Sequence, residues 1–477
     1  MKRISKLAIL SILLPLITLP CSAPASAATR FSRLEAKSAI LAEPVSGTIL
    51  FEHNARDVHP ADHLARAMTL MLAVSAFENG AVDISRPVTV SETAWKETDT
   101  GSYTLGLTPG ETITLSDLMY CAYVGEASDA CNFLAECVAG SVGNFVSLMN
   151  ERARELGCKN THFVNTHGWY DNAQYTTAMD QFIIYREAMS LPMFAEISGT
   201  YRWIVGNEDD SDTYVLTSSN SMLNSSSKYY YRPCVSGITS QSYEGGYSFV
   251  AYAQSDGLTL VSVVLGSDVV VFEDQSALMR NLSESQRLLE WGFSNYSWRT
   301  VLSASELVAK APVVHGDGAD YVNLRPENSI TILLEKNAAT DDFSRDVTIY
   351  SVRDGEDLVA PVLQGDVLGE VKVTRGSEDY GTVLLVANTS IALHRFEHIK
   401  SQLKETLSGR AARIIIFVLF VIVAGYIALV VRYNVLRRRR LRRIATEKKR
   451  LSEEARGARA AKPGVGQSGS DRAGAEE

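Results

Sequence analysis

Cysteine is scarce in this chain, and its spacing matches neither a disulfide framework nor a metal site. The 477 residues contain six cysteines, one of them within the first 27 residues. The remaining five are an odd number, so at least one thiol is expected to be free. No Cys/His spacing is typical of a zinc site. We predict no metal and no cofactor, and we interpret these cysteines as small core residues: Cys121, Cys131, Cys137, Cys158 and Cys234.

Long hydrophobic runs are equally few, and they lie at the two ends of the chain. Residues 1–27 have a basic start, an apolar stretch and the small-residue exit Ala25-Ser26-Ala27, which is the pattern of a secretory signal peptide. The run from Ile414 to Val431 is uninterrupted and about long enough to span a bilayer. We predict a transmembrane helix at 413–432. Because arginines follow it directly, we expect a cytoplasmic tail at 433–477 and a main body outside the cytoplasm.

Charge is distributed unevenly along the chain. The total is −9, but residues 432–450 hold ten Lys or Arg and one Glu. This segment therefore contributes +9, and the rest of the chain sums to −18. Beside a membrane span, such a basic run indicates topology and contact with anionic lipid head groups, so we expect no nucleic-acid partner. After Lys449 the sequence is rich in Gly, Ala, Ser and charge, and we predict disorder there.

One stretch, residues 63–80, is apolar or small on nearly every side. It follows a polar, turn-like run and ends at Gly80, a typical helix stop. A helix of this kind belongs in the middle of a domain. Its first residues would therefore face a cleft.

The pattern around this helix predicts an α+β first domain at 30–296. Strands at both ends of the region and helices between them favour one sheet with helices packed on it. Residues 299–390 are rich in strands and Gly turns and predict a small β-sandwich, followed by a juxtamembrane connector at 391–412. The predicted strands of the first domain are 36–41, 48–52, 247–253 and 258–266; its predicted helices are 115–124, 127–138, 142–156, 176–189 and 284–292.

Several separated segments match the sequence pattern of one known protein family. They are residues 47–55, 156–168, 175–178, 291–293 and 360–366. Through them, residues 30–390 resemble the D-alanyl-D-alanine carboxypeptidases, the serine-type, low-molecular-mass penicillin-binding proteins. The resemblance implies a penicillin-binding, β-lactamase-like transpeptidase domain followed by a β-rich domain. It also implies an exported acyl-transferase that trims peptidoglycan stem peptides.

The family's three catalytic motifs are all substituted in this chain. The spacing that the resemblance implies places Ser-x-x-Lys on His63 and Arg66. It places Ser-x-Asn on Glu126-Ala127-Ser128 and Lys-Thr-Gly on Thr239-Ser240-Gln241.

These substitutions remove the chemistry that acyl transfer needs, namely a hydroxyl or thiol nucleophile beside a base. Arg66 stays protonated at any working pH and cannot act as that base. The third motif has lost the lysine that would hold a substrate carboxylate. Ser225-Ser226-Ser227-Lys228 matches Ser-x-x-Lys in letters, but no apolar helix follows it, so we interpret it as a solvated loop. We predict no active catalytic residue.

The substitutions also suggest a new contact. Position 66 keeps a cation and position 126 gains an anion. We hypothesise that Arg66 and Glu126 form a charge-assisted pair that closes the former cleft. The alternative is that Glu126 points to solvent from its turn.

The sequence favours a non-catalytic relative of the carboxypeptidases that binds a peptidoglycan stem peptide or a cell-wall protein. Ser128 and Ser240 are candidate ligand contacts. An active carboxypeptidase with non-standard residues, using His63 with Glu126 or Ser128, is one alternative. A structural adaptor that acts through the β domain is the other.

Overall fold

The structure, a computed structural model, describes residues 31–79, 83–96, 98–206, 213–272, 277–408 and 410–459. The predicted signal peptide at 1–27 lies outside these residues. By its internal contacts the chain divides into two units. The first comprises Met1–Ser303, Ser329–Ser344 and Val373–Gly381; the second comprises Ala304–Asn328, Arg345–Lys372 and Thr382–Glu477.

The first unit contains strands at both ends and helices between them, as the alternation and periodicity of the sequence predict. Up to residue 302 the strands are Ser38–Ala42 (β1), Ile49–His53 (β2), His59–Pro60 (β3), Pro87–Thr89 (β4), Thr112–Thr114 (β5), Tyr175–Thr176 (β6), Arg202–Val205 (β7), Tyr214–Thr217 (β8), Cys234–Ser242 (β9), Gly246–Ser255 (β10), Leu258–Ser267 (β11), Val269–Val271 (β12), Ala277–Met279 (β13) and Tyr296–Leu302 (β14). The helices are Ala65–Asn79 (α1), Glu92–Lys96 (α2), Leu115–Tyr123 (α3), Ser128–Ala139 (α4), Val142–Glu155 (α5), Ala178–Ala188 (α6), Pro192–Ser198 (α7) and Arg280–Asn295 (α8).

A five-stranded antiparallel sheet in the order β2-β1-β11-β10-β9 divides this unit into two apolar cores. Successive residues of a strand point to opposite faces. Accordingly Ile40 belongs to the core on one face, and Leu41 to the core on the other. Helix α8 packs against the second face through Leu282, Leu288 and Leu289.

Helix α1 is the centre of the larger core, as its apolar sequence predicts. It contacts α3, α4, α5, α6 and α7, and most of its side chains are buried, Met68 completely. The helix begins two residues later than the sequence suggests. A short 3-10 turn, Asp62–Leu64, precedes it, and Asp62 has a left-handed backbone with φ of 42°.

The part of the chain after residue 303 is built mainly from strands, with one short helix among them and two helices after them. From residue 309 the strands are Ala309–Pro312 (β15), Tyr321–Pro326 (β16), Ile330–Glu335 (β17), Ser344–Ile349 (β18), Val367–Arg375 (β19) and Glu378–Ala387 (β20); the helices are Tyr350–Asp354 (α9), Arg395–Ser408 (α10) and Arg410–Arg459 (α11). Strands β15, β16, β20, β19 and β18 form one sheet in that order, while β17 pairs with β14. The internal contacts place the β14–β17 pair with the first unit.

Helix α11 corrects one prediction. The segment Arg413–Ser452 is the one helix of the described residues that is long and apolar enough to cross a membrane. Disorder was predicted after Lys449, but the helix continues to Arg459. The residues in between are largely Glu, Arg, Ala and Leu, which favour helix strongly enough to extend it.

Candidate functional site

The three segments on which the sequence predicts the motifs meet at the β9 edge of the sheet. His63 lies in the turn before α1, Glu126 lies between α3 and α4, and Thr239 lies on β9, the edge strand of the sheet. The backbone N–H of His63 donates to Ser240 Oγ at 3.0 Å. These residues, with Gln241, line one cavity of about 120 Å³. The spacing-based alignment therefore brings together residues that lie far apart in the chain.

Ser128 does not line this cavity. It is the first residue of α4, and its backbone N–H donates to the carbonyl of Tyr103 at 2.8 Å. The residue is buried, with 5% of its surface exposed.

Arg66 and Glu126 face each other across the former cleft. Arg66 Nη1 lies 3.3 Å from Glu126 Oε2, and the two side chains are 4% and 27% exposed. Arg66 Nε also donates to the carbonyl of His167 at 3.0 Å. The buried guanidinium is therefore hydrogen-bonded to a carbonyl through Nε and ion-paired with a carboxylate through Nη1, which has no hydrogen-bond partner among the described residues.

Glu126 connects this ion pair to strand β9. Ser219 Oγ donates to Glu126 Oε1 at 2.5 Å, and the hydroxyl groups of Ser219 and Thr239 are hydrogen-bonded to each other. A continuous polar chain thus runs from Arg66 to the edge strand. Glu126 adopts a left-handed backbone with φ of 56°, which is uncommon for a residue with a Cβ and aims its carboxylate into the cleft. Ser219 lies outside every motif, and its sequence gives no signal of this role.

Two histidines beside Arg66 are held in the neutral form. Burial, followed by the nearby Arg66 and His167, lowers the pKa of His63 to about 3. Burial and Arg66 lower the pKa of His167 to about 4. His167 Nδ1 accepts from the backbone N–H of Trp169 at 3.1 Å, so its proton lies on Nε2, 3.3 Å from Asp99 Oδ2.

Gly168 fixes the position of the His63 turn. It has φ of 80°, and a Cβ at this position would lie 2.1 Å from the carbonyl oxygen of Asp62 and 2.5 Å from His63 Cα. No side chain fits there, so residue 168 must be glycine for the two backbones to approach. The glycine lies in a segment that carries the family resemblance, but only the structure supplies the reason for it.

Asp129, next to Ser128, has a structural role that the sequence did not reveal. Its buried carboxylate accepts from the backbone N–H groups of Leu105, Gly106 and Leu107 at 3.2, 3.0 and 3.0 Å. A carboxylate at the start of a helix is also favoured by the helix dipole. Asp129 therefore anchors the 105–107 loop to α4.

The site contains no activated thiol and no metal cage within the described residues. The five cysteines there are free thiols, and burial raises the pKa of Cys131 to about 12. No group of three or more His, Cys, Asp or Glu side chains in the described part of the chain is arranged to hold a metal ion. Lys228, in the alternative Ser-x-x-Lys sequence, donates to the carbonyl of Ala277 at 2.7 Å on the surface.

A larger, open groove adjoins the small cavity. It has a volume of about 1210 Å³ and shares His63, Gln241 and Tyr247 with that cavity. The sequence gives no signal of this groove, because its lining comes from five separate segments. Its other lining residues are Gly168, Trp169, Tyr170, Ser242, Tyr243, Glu244, Gly246, Ser267, Asp268, Val269, Val270, Val271 and Arg280.

Family profiles match most of the chain outside its ends. The D-alanyl-D-alanine carboxypeptidase profile matches residues 24–269, and the profile of the penicillin-binding protein 5 C-terminal domain matches residues 296–392. The matches, together with the folds below, bear out the predicted architecture: an α+β penicillin-binding domain, a β domain and a long apolar C-terminal helix.

Individual relatives agree with the profiles. The chain is 27% identical over 345 residues to D-alanyl-D-alanine carboxypeptidase DacF of Bacillus subtilis, covering 72% of this chain and 82% of the relative. It is 27% identical over 343 residues to DacA of Escherichia coli, covering 71% and 79%. The solved structure of penicillin binding protein 5 from Haemophilus influenzae is 25% identical, with a TM-score of 0.55, and the match covers 76% of this chain and 98% of that one.

Proposed function

Because the chain belongs to the D-alanyl-D-alanine carboxypeptidase family, we propose that it is a member that has lost acyl transfer and acts by binding a peptidoglycan stem peptide or a cell-wall protein. The observation that carries this proposal is the Arg66–Glu126 pair. It occupies the positions where the family pattern has a catalytic lysine and a catalytic serine.

The chemistry of the site supports the loss of catalysis. The nucleophile position holds His63, whose low pKa makes it a weak base and nucleophile at neutral pH. The base position holds Arg66, a permanent cation already engaged by Glu126 and by the carbonyl of His167. Removing one member of a coupled catalytic set abolishes nearly all of its rate, and here all the motifs are changed.

The small size of the cavity also supports the loss of catalysis. Sites for small ligands usually enclose about 300–1,000 Å³, whereas the cavity lined by His63, Glu126 and Thr239 has about 120 Å³. Glu126, Ser219 and Thr239 all line this cavity, and Ser219 is hydrogen-bonded to both of the others. A ligand would therefore bind in the adjoining groove of about 1210 Å³.

We further propose that the protein is exported and anchored by one span. A signal peptide at 1–27, a span at 413–432 and the arginines from Arg432 onward would place domains 30–296 and 299–390 outside the cytoplasm. The connector at 391–412 would lie at the membrane surface, and the helical basic segment after the span would contact anionic lipids on the cytoplasmic side.

The test uses the full-length protein in detergent, with the E. coli relative as the positive control. Each is incubated with a fluorescent penicillin and with a peptide ending in D-Ala-D-Ala. We expect neither a covalent adduct nor released D-alanine from this protein. Circular dichroism checks that it is folded. An adduct or released D-alanine would overturn the proposal, and an adduct mapped to His63 would favour the alternative enzyme.

Binding is measured separately by co-sedimentation with insoluble peptidoglycan. Retention is expected, and variants in the groove should reduce it. Retention that is unaffected by groove variants but lost on substitution of exposed residues in 299–390 would favour the adaptor alternative.

A further inference from the structure

The open groove has an aromatic rim. Trp169, Tyr170 and Tyr243 line it with 38%, 36% and 100% of their surfaces exposed, and Tyr247 lines the side that it shares with the small cavity. Aromatic rings left exposed around a concave surface indicate a binding site. Their π-faces attract cations.

The ionisable residues of the groove favour a positively charged ligand. Glu244 and Asp268 line it and are exposed, and among the described lining residues Arg280 is the one Lys or Arg. Arg280 is already ion-paired with Glu35. The groove therefore presents two carboxylates and no cation that is not already paired.

A further carboxylate lies beneath the turn that carries Tyr243 and Glu244. Asp62 Oδ2 accepts from Ser242 Oγ at 2.6 Å, and the residue is 3% exposed. Its Oδ1 has no hydrogen-bond partner among the described residues. Burial raises the pKa of Asp62, and the Glu244 carboxylate also raises it, so these two acidic groups lie within electrostatic range of each other.

The position that would bind a substrate carboxylate in the family adds no positive charge to the groove. The position at which the family pattern has a lysine is Thr239, whose hydroxyl is bonded to Ser219. Arg66, the cation at the first motif position, is 4% exposed and paired with Glu126. A ligand that enters by an anionic terminus would meet carboxylates and no free guanidinium or ammonium.

We infer that the groove binds peptidoglycan peptides through a free primary amine, with the ammonium held between Glu244, Asp268 and the aromatic rim. The inference rests on the proposed function, because it names the group by which that ligand is recognised. The lysine of the family's third motif would favour a ligand carboxylate. The groove proposed for this protein instead favours a ligand ammonium.

The experiment compares three forms of one insoluble peptidoglycan: untreated, acetylated on its free amines, and succinylated on them. The full-length protein in detergent is co-sedimented with each form over a range of protein concentrations. We expect binding to the acetylated form to be about tenfold weaker than to the untreated form, because loss of an ion pair and cation–π contacts is of that order. The succinylated form, which carries negative charge, should bind more weakly still.

Three variants assign the effect to the groove. Glu244→Gln with Asp268→Asn should remove the preference for the untreated form. Charge reversal, Glu244→Lys with Asp268→Lys, should make the succinylated form the better ligand. Asp256→Asn is the matched control. It changes an exposed carboxylate at the far end of β10, and at about 3.3 Å per residue the two ends of this ten-residue strand lie about 30 Å apart.

The outcomes distinguish amine recognition by the groove from peptidoglycan binding as such. Equal binding of the untreated and acetylated forms would overturn the inference while leaving peptidoglycan binding intact. No binding to any form would overturn peptidoglycan binding itself, and the inference with it. Unchanged preference in the Glu244 and Asp268 variants would show that amines are recognised elsewhere.

Discussion

Two neighbouring cavities of the first unit have opposite character. The small one, of about 120 Å³, is crossed by the Glu126–Ser219–Thr239 hydrogen bonds, and Glu126 also pairs with buried Arg66. The groove beside it, of about 1210 Å³, presents exposed rings and carboxylates to solvent. Polar groups that satisfy one another hold a structure together, whereas unsatisfied exposed groups are available to a ligand. The comparison supports the proposal that the residues at the predicted motif positions have a structural role, while the adjoining groove is open to a ligand.

The largest effect is expected where the backbone of residue 168 packs directly against the His63 turn. Gly168→Ala would place a Cβ 2.1 Å from the carbonyl oxygen of Asp62, which no side-chain rotation can relieve. We expect a loss of ~3 kcal/mol or more in the free energy of unfolding, from the clash and the left-handed backbone together. Urea unfolding measures it.

The matched control for this variant is Gly257→Ala. Gly257 also has a left-handed backbone, with φ of 77°, but a Cβ there meets nothing within 4 Å. Its loss should be only ~1 kcal/mol. Similar losses in the two variants would show that the close packing of residue 168 against the His63 turn adds nothing to the cost of the left-handed backbone.

The ion pair gives the next largest effect. Glu126→Gln leaves the guanidinium of Arg66 buried without its carboxylate, and we expect ~2–3 kcal/mol of destabilisation. The double variant with Arg66→Leu should lose ~1–2 kcal/mol less than the sum of the two single losses, since the two groups are coupled. Urea unfolding of the unmodified protein, the two single variants and the double variant measures this coupling.

The exposed pair Arg56–Glu52 is the control for this cycle. Its side chains are 65% and 49% exposed at a distance of 3.2 Å. We expect a coupling of no more than ~0.5 kcal/mol there. An equally small Arg66–Glu126 coupling would show that this ion pair does not stabilise the closed cavity.

Acidification should weaken the same region. His63 and His167 have folded-state pKa values lowered to about 3 and about 4 from 6.5. Between about pH 6.5 and 4 the unfolded chain therefore binds protons that the folded chain does not. Stability should fall through this window by at most ~1.4 kcal/mol per pH unit for each histidine.

The variant His63→Gln tests the source of this pH dependence. Removing one of the two titrating groups should make the fall in stability with decreasing pH shallower. Thermal melts between pH 7 and 4 measure it. An unchanged slope would mean that His63 is already protonated in the folded state and that the small cavity is wetter than its geometry indicates.

The smallest effect is expected in the groove. Tyr243 is fully exposed, so Tyr243→Ser should change stability by less than ~0.5 kcal/mol. By contrast Tyr185 is fully buried and hydrogen-bonded to Ser236 at 2.7 Å, and Tyr185→Phe should cost ~1 kcal/mol. Thermal unfolding compares them. A large loss on changing Tyr243 would mean that the rim is part of the folded core and not a free surface.

The regular elements were predictable because their residues carry the pattern themselves. The strand pair 247–253 and 258–266 alternates in hydrophobicity, and the structure forms β10 and β11 there. Short elements give no such signal. The four-residue strands β7 and β8, which pair with each other, are too brief for a period to show.

The candidate site was predictable only in part. The positions of His63, Arg66, Glu126 and Thr239 followed from spacing, and the Arg66–Glu126 contact followed from opposite charge at two of them. Ser219 could not be found, because a serine in a polar loop looks the same whether or not it completes a hydrogen-bonded chain. The groove could not be predicted either, since its aromatic rings and carboxylates come from segments that are far apart in the sequence.

The sequence by itself determined the family, the layered α+β domain, the β domain after it and the identity of the substituted residues, because these depend on local pattern and on order along the chain. Only the tertiary structure decided which polar groups are satisfied and which are left exposed. That depends on distances between segments distant in sequence, such as the 3.3 Å between Arg66 and Glu126. Burial then sets their chemistry, holding His63 neutral and leaving Glu244 and Asp268 to face solvent.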